Sequence, residues 1–339
     1  VFFVVNAGLA VAYNTVLVPR IRVAGYPRLA LLVTTTAVPV GVLFVRFSSG
    51  SVGMLYLGGA LMLFVSTVVP QLFGRVASQN AGHAQEWMVA RLRTVLISGY
   101  ILGLVLYSML AQLGVDPLVV AAGAAGLTIV CTAGRSFARR LPVPDRRPDA
   151  AAGGDPPPRR LLFVLALALV ALLKSVDTLR AIYLPLFAVS SGVPPALVSP
   201  VFLASAVLEL AALPALTRLS TARGSAFTLG IVSLAAIVTF AILVGDQSYG
   251  ALVLSQAVYA VVGAGFQSIG ILLLERTSNG GPGAGASAYT AVTQVGTVLG
   301  ALLPLAVSGY DPQIFLIAVL LSAASVMLAV ALRVNGGRL

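Results

Sequence analysis

Apolar residues in this chain gather in long blocks, and short polar segments rich in arginine, glycine and proline separate them. A helix crosses the hydrocarbon core of a bilayer with about 20 apolar residues, and eleven blocks of that order are present, near 1 to 18, 29 to 46, 51 to 73, 92 to 112, 117 to 137, 161 to 189, 196 to 217, 225 to 244, 249 to 274, 284 to 308 and 312 to 333. Five precede and six follow ARRLPVPDRRPDAAAGGDPPPRR, residues 138–160, which is too polar and too proline-rich to bury a core and reads as a flexible linker. The pattern predicts an all-α integral membrane protein of two helical bundles: 1–137 with five spans, a linker at 138–160, and 161–339 with six.

Charge placement orients these spans. The loops near 19–28, 74–93, 134–160, 218–224 and 275–283, with the C-terminal tail, hold 18 of the 21 basic residues. The alternate loops hold only Arg46, together with Asp116, Asp246 and Asp311. The arginine-rich set, including the linker and the C-terminus, is therefore expected to be cytoplasmic. This alternation puts Val1 outside, and one further span upstream would give six helices on each side of the linker and both termini in the cytoplasm. Twelve helices are expected in the full-length protein, the first lying ahead of Val1.

Composition narrows the class further. The chain is 59% hydrophobic and 9% charged, where a soluble domain carries about 25% charged residues. Its net charge of +11 does not point to nucleic acid, because the basic residues fall between apolar spans and not on one solvated face. One cysteine, Cys131, and one histidine, His83, leave no internal disulfide, thiolate cluster or histidine metal site, so neither metal nor cofactor is expected. A single lysine among many alanines, valines, arginines and glycines fits a GC-rich bacterial genome and the inner membrane.

The span 161–189 carries Lys174, Asp177 and Arg180 in its second half. Ionisable groups in a membrane cost several kcal/mol unless they face protein or water. At spacings of three they share one helix side, so Asp177 is placed to reach both cations; the triplet is either a structural clamp or the wall of a substrate or proton pathway. Glu209, in FLASAVLELAALPAL, has no cation nearby in sequence and is the candidate for reversible protonation, a structural clamp being the alternative. Hydroxyl-rich ligands need side chains that donate and accept hydrogen bonds, with aromatic faces beside them. The residues of that kind within spans are Asn14, Gln71, Asp177, Arg180, Tyr183, Gln256, Gln267, Tyr289 and Gln294, with Thr293 and Tyr259. Pro185, just after the charged triplet, is a candidate hinge.

An internal repeat links the two bundles. SGYILGLVL places Gly99 and Gly103 four apart, VGTVLGALL places Gly296 and Gly300 likewise, and both offsets are 197 residues. Gly-x-Asp-Pro follows each helix, at 114–117 and 309–312. Small residues four apart allow close helix packing, and duplicated halves around a midplane site are a common transporter plan.

With its two halves, basic central linker and paired glycine helices, the chain resembles the major facilitator superfamily. FVSTVVPQLFGR at 64–75, LRTVLISGYILG at 92–103, AIYLPLFAV at 181–189, LEL at 208–210 and SAYTAVTQVG at 287–296 are similar to stretches of the bacterial sugar efflux transporters. That resemblance implies proton-driven export of a sugar or sugar-like molecule by alternating access, without a cofactor and as a monomer. Differences from the pattern fall at the cavity wall: Gln294 stands where these exporters tend to have arginine, and Asp177 where a neutral polar residue is common. A multidrug:proton antiporter of the same superfamily is the main alternative, and a non-transporting receptor or scaffold a further one. A membrane-embedded enzyme would need clustered carboxylates or histidines, which ten scattered acids and one histidine do not provide.

Overall fold

Lipid offers no partner to backbone N–H and C=O groups, so a chain with this pattern satisfies them within helices. The computed structural model describes residues 27–48, 50–62, 83–116, 119–120, 123–124, 126–127, 160–278, 284–309 and 311–337. Among these residues the regular structure is helical: α1 Pro27–Arg46, α2 Val52–Met62, α3 His83–Gln112, α4 Arg160–Ser190, α5 Pro195–Arg223, α6 Ser225–Gly245, α7 Tyr249–Thr277, α8 Ala284–Leu302 and α9 Gln313–Gly336, with a 3-10 turn at Leu303–Ala306. Six of the described helices or helix stretches, all after residue 159, are long and apolar enough to cross a membrane, where six spans are expected. The expected span at 1 to 18 and most of the one at 117 to 137 lie outside the described residues, as do Asn14, Gln71, Cys131 and the linker up to residue 159.

Helix α7 is the hub of the second bundle. Its apolar stretch is 78% buried, against 22% for that of α5, and it packs against α4, α5, α6 and α8 while also touching α3. Helix α4 is clasped by α8 and α9, α6 by α7 and α9, and α3 lies along α5. The glycines expected to permit close approach do so in α8: a Cβ at Gly296 would stand 2.6 Å from the carbonyl of Ala171, and one at Gly300 would collide with the carbonyl of Ser175. The matching pair in α3 behaves differently, since among the described residues nothing lies within 4 Å of a Cβ at Gly99 or Gly103. The Gly-x-Asp-Pro turns keep their likeness, with Gly114 at φ +69° and Gly309 at φ +75°, a left-handed backbone that glycine adopts without steric cost.

Several buried hydroxyls in this apolar setting bond back to their own helix. Ser175, Ser233, Ser268 and Ser322 each donate to the carbonyl four residues earlier, at 2.7 to 2.8 Å, so none is stranded in hydrocarbon. Helix α4 runs unbroken through Pro185, whereas α8 ends in the 3-10 turn that contains Pro304.

Two expectations change. The loop expected to extend to residue 93 ends earlier, because α3 begins at His83. Arg93 therefore lies within a helix and not in a loop, and His83 opens that helix.

Candidate functional site

A cavity of about 260 Å³ opens where α3 meets the second bundle, lined by Arg93, Leu96, Ile97 and Tyr100 from α3, Asp177 and Arg180 from α4, Phe202, Ser205, Ala206 and Glu209 from α5, and Tyr259, Gly263 and Gln267 from α7. The α3 residues recur at intervals of three and four and so share one helix face. Its volume is near the lower end of ligand pockets, which run from roughly 300 to 1,000 Å³.

Two charge clusters form its polar wall. Arg93 reaches across from α3, with Nη2 at 2.5 Å from Glu209 Oε1 and Nη1 donating to Gln267 Oε1 at 2.5 Å. Both partners are largely buried, at 12% and 14% side-chain exposure, so little solvent screens the pair. Gly263 gives the carboxylate its space: a Cβ there would lie 2.7 Å from Glu209 Oε2.

In the second cluster Asp177 accepts from Lys174 Nζ at 2.8 Å through Oδ2 and from Tyr259 Oη at 2.8 Å through Oδ1. Arg180 does not make the ion pair with Asp177 that its spacing invites. Its Nε donates to Gln256 Oε1 at 2.6 Å, and its guanidinium lies 3.9 Å from the Tyr259 ring centroid and 4.8 Å from that of Phe202. Such cation–π contacts contribute about 0.5–2 kcal/mol each. Tyr259 thus separates the carboxylate from the second cation, with its hydroxyl on one and its face on the other. An aromatic series holds that ring in place: Phe240 meets Tyr259 edge-on at 6.3 Å and stacks on Phe315 at 5.9 Å, which meets Phe187 edge-on at 5.0 Å.

The expected site residues divide three ways. Asp177, Arg180, Glu209 and Gln267 line the cavity with Tyr259, while Lys174 and Gln256 support them from behind. Tyr183, Tyr289, Thr293 and Gln294 are not among the lining residues: the Tyr183 hydroxyl donates to the carbonyl of Ala301 at 2.9 Å, Tyr289 packs beside Phe266 at 6.1 Å, Thr293 bonds the carbonyl of Tyr289, and Gln294 is 7% exposed. They tie α8 to its neighbours or sit in its packed side. Asn14 and Gln71 lie outside the described residues. Sequence reasoning missed Arg93, Tyr100, Phe202 and Ser205; the signal for Arg93 was its register with Leu96, Ile97 and Tyr100. Glu209, which has no cation nearby in sequence, takes Arg93 from another helix.

No family model matches the sequence, and no curated protein matches it. Solved structures do. The nucleoside transporter NupG aligns over 99% of this chain and 90% of its own, at 17% identity and a TM-score of 0.62. The Fucose:proton symporter FucP of E. coli aligns over 98% of this chain and 88% of its own, at 11% identity and a TM-score of 0.64. At these identities the likeness is one of fold alone: the chain shares its fold with these two solved membrane proteins, and six of its described helices are long and apolar enough to cross a membrane.

Proposed function

We propose that this protein is a secondary active transporter working by alternating access, which exports a sugar or sugar-like small molecule in exchange for protons. The observation that carries the proposal is the bond of Arg93 to Glu209 and Gln267 across the cavity, which ties α3, ahead of the linker, to α5 and α7 behind it. An ion pair at the seam of two bundles gives them a contact whose strength depends on the charge of one carboxylate. Protonation of Glu209 removes the attraction to Arg93 and lets the bundles part at this side. Asp177, held by Lys174 and Tyr259, keeps its charge and positions the ring that faces the substrate.

The chemistry of the wall supports a polar cargo. Amide, hydroxyl and guanidinium groups offer hydrogen bonds, and Tyr259, Phe202 and Tyr100 offer faces for the apolar side of a sugar ring. Structural neighbours that carry nucleosides and fucose support a sugar moiety, and the outward direction follows from the sequence resemblance to sugar exporters. A cationic-drug antiporter fits less well, because both cavity carboxylates already hold cations.

The test is flux in proteoliposomes containing the full-length protein, with fucose, a nucleoside and a cationic dye presented in parallel under an imposed pH gradient. Gradient-driven movement of a sugar-bearing solute is expected; movement of the dye alone would replace sugar export with drug export.

A further inference from the structure

Five ionisable side chains stand inside the described bundle around this cavity: Arg93, Lys174, Asp177, Arg180 and Glu209. Among the described residues the other acidic ones lie elsewhere: Asp116, Asp246 and Asp311 in turns at helix ends, and Glu86 and Glu275 in the first turn of α3 and the last turn of α7. Three described cations here therefore share two described carboxylates. Glu209 is taken by Arg93 and Asp177 by Lys174, which leaves Arg180 as the cation without a carboxylate within ion-pair distance among the described residues.

A guanidinium without a directly paired carboxylate in a membrane interior is costly, and the surroundings of Arg180 answer only part of that cost. Gln256 satisfies Nε, and the Tyr259 and Phe202 rings lie 3.9 and 4.8 Å from the guanidinium. The Nη atoms donate to no described residue, while the side chain lines the cavity. A guanidinium held at its Nε and against two rings presents its Nη edge as a planar fork, the geometry that binds a carboxylate through two parallel N–H bonds. A neutral hydroxyl would meet the hydrogen-bonding need but leave the surplus charge. A phosphate monoester, at about −1.5 to −2, would exceed it.

We propose that Arg180 is the carboxylate-binding residue of this site and that the cargo is a hydroxylated monocarboxylate, a sugar acid and not a neutral sugar. The inference rests on the transporter reading above and narrows its substrate. Ser205 and Gln267 then face the hydroxyls, and Phe202 and Tyr100 the ring.

The experiment compares pairs that differ in one group, D-glucuronate with D-glucose and D-galacturonate with D-galactose, as ligands in a thermal-shift titration and as cargo in proteoliposomes of the full-length protein. The acid of at least one pair is expected to bind about tenfold or more tightly than its neutral partner, the difference one charge-assisted contact supplies. Arg180→Gln should erase that preference and Arg180→Lys should retain it in part, since the charge remains and the fork is lost. Equal or stronger binding of the neutral sugars by the wild-type protein overturns the inference while leaving sugar transport intact, and needs no variant to fold. An acid preference that survives in Arg180→Gln overturns the role of Arg180. Failure of all four sugars to bind or move overturns this inference together with the sugar-transport reading beneath it.

Discussion

Asp177 and Glu209 are both membrane-embedded carboxylates with a cation at hydrogen-bond distance, yet their settings predict different phenotypes. Asp177 is bonded within its own helix and to Tyr259, so it organises the ring that would face the proposed cargo. Asp177→Asn is expected to abolish flux in proteoliposomes while the protein remains folded and monodisperse in detergent, because the amide is nearly isosteric and still accepts from Tyr259. Undiminished gradient-driven flux would remove Asp177 from the mechanism. Glu209 is bonded to a different helix, so its charge controls a contact and not a shape. In Glu209→Gln, exchange of cargo at equal pH should persist and uphill, pH-driven movement should vanish; loss of both, with the fold intact, would make the residue structural. The charged triplet was legible because three ionisable residues interrupt an apolar run. Arg93 was hidden because it follows Arg91 at the edge of an arginine-bearing segment, and only the helix start at His83 shows that it is interior.

At the scale of the element, the α4–α8 contact depends on two missing Cβ atoms. Gly300→Ala would press a methyl group into the carbonyl of Ser175 and bring it within 2.9 Å of Thr178 Cβ. Overpacking of this kind costs about 1–3 kcal/mol, so a lowered melting temperature in detergent is expected, whereas Gly99→Ala should leave it nearly unchanged. The turn between α6 and α7 offers a pH test outside the membrane. Asp246 accepts from the Ser248 backbone N–H at 2.8 Å and from its hydroxyl at 2.9 Å, and Ser248 Oγ caps α7 by accepting from Ala251 N. The backbone bond first, then the hydroxyl, holds the Asp246 carboxyl below its ordinary value of 3.8. A lowered folded-state value means that this stabilisation is complete above the ordinary value and is lost as pH falls through the lowered one. Amide exchange at residues 248–251, followed by mass spectrometry, should therefore quicken only in strong acid, and Asp246→Asn should flatten that acid response. The glycine spacing was visible in sequence, but it marked both α3 and α8, and among the described residues packing against a neighbour distinguishes them.

For the whole molecule, Arg93 joins α3 to α5 and α7, and under the transporter proposal the release of that junction by a protonated Glu209 is the step that alternating access would use. Spin labels at Val95 on α3 and Leu208 on α5, both exposed, should report a distance that lengthens on acidification in the wild type and not in Glu209→Gln; an unchanged distance in both would separate proton binding from bundle movement. What the amino-acid order determined alone is the class: long apolar blocks have one stable backbone solution in lipid, the helix, and the cost of burying charge singles out Lys174, Asp177, Arg180 and Glu209 before any fold is known. What the tertiary structure decided is pairing. A helix period shows which residues share a face, but it does not say which face meets which, and so Arg93 finds Glu209 at a separation of 116 residues, Tyr259 comes between Asp177 and Arg180, and Tyr183, Tyr289 and Gln294 turn into helix contacts. Those partners are chosen by the packing of many weak apolar surfaces at once, a quantity that no single stretch of the chain contains.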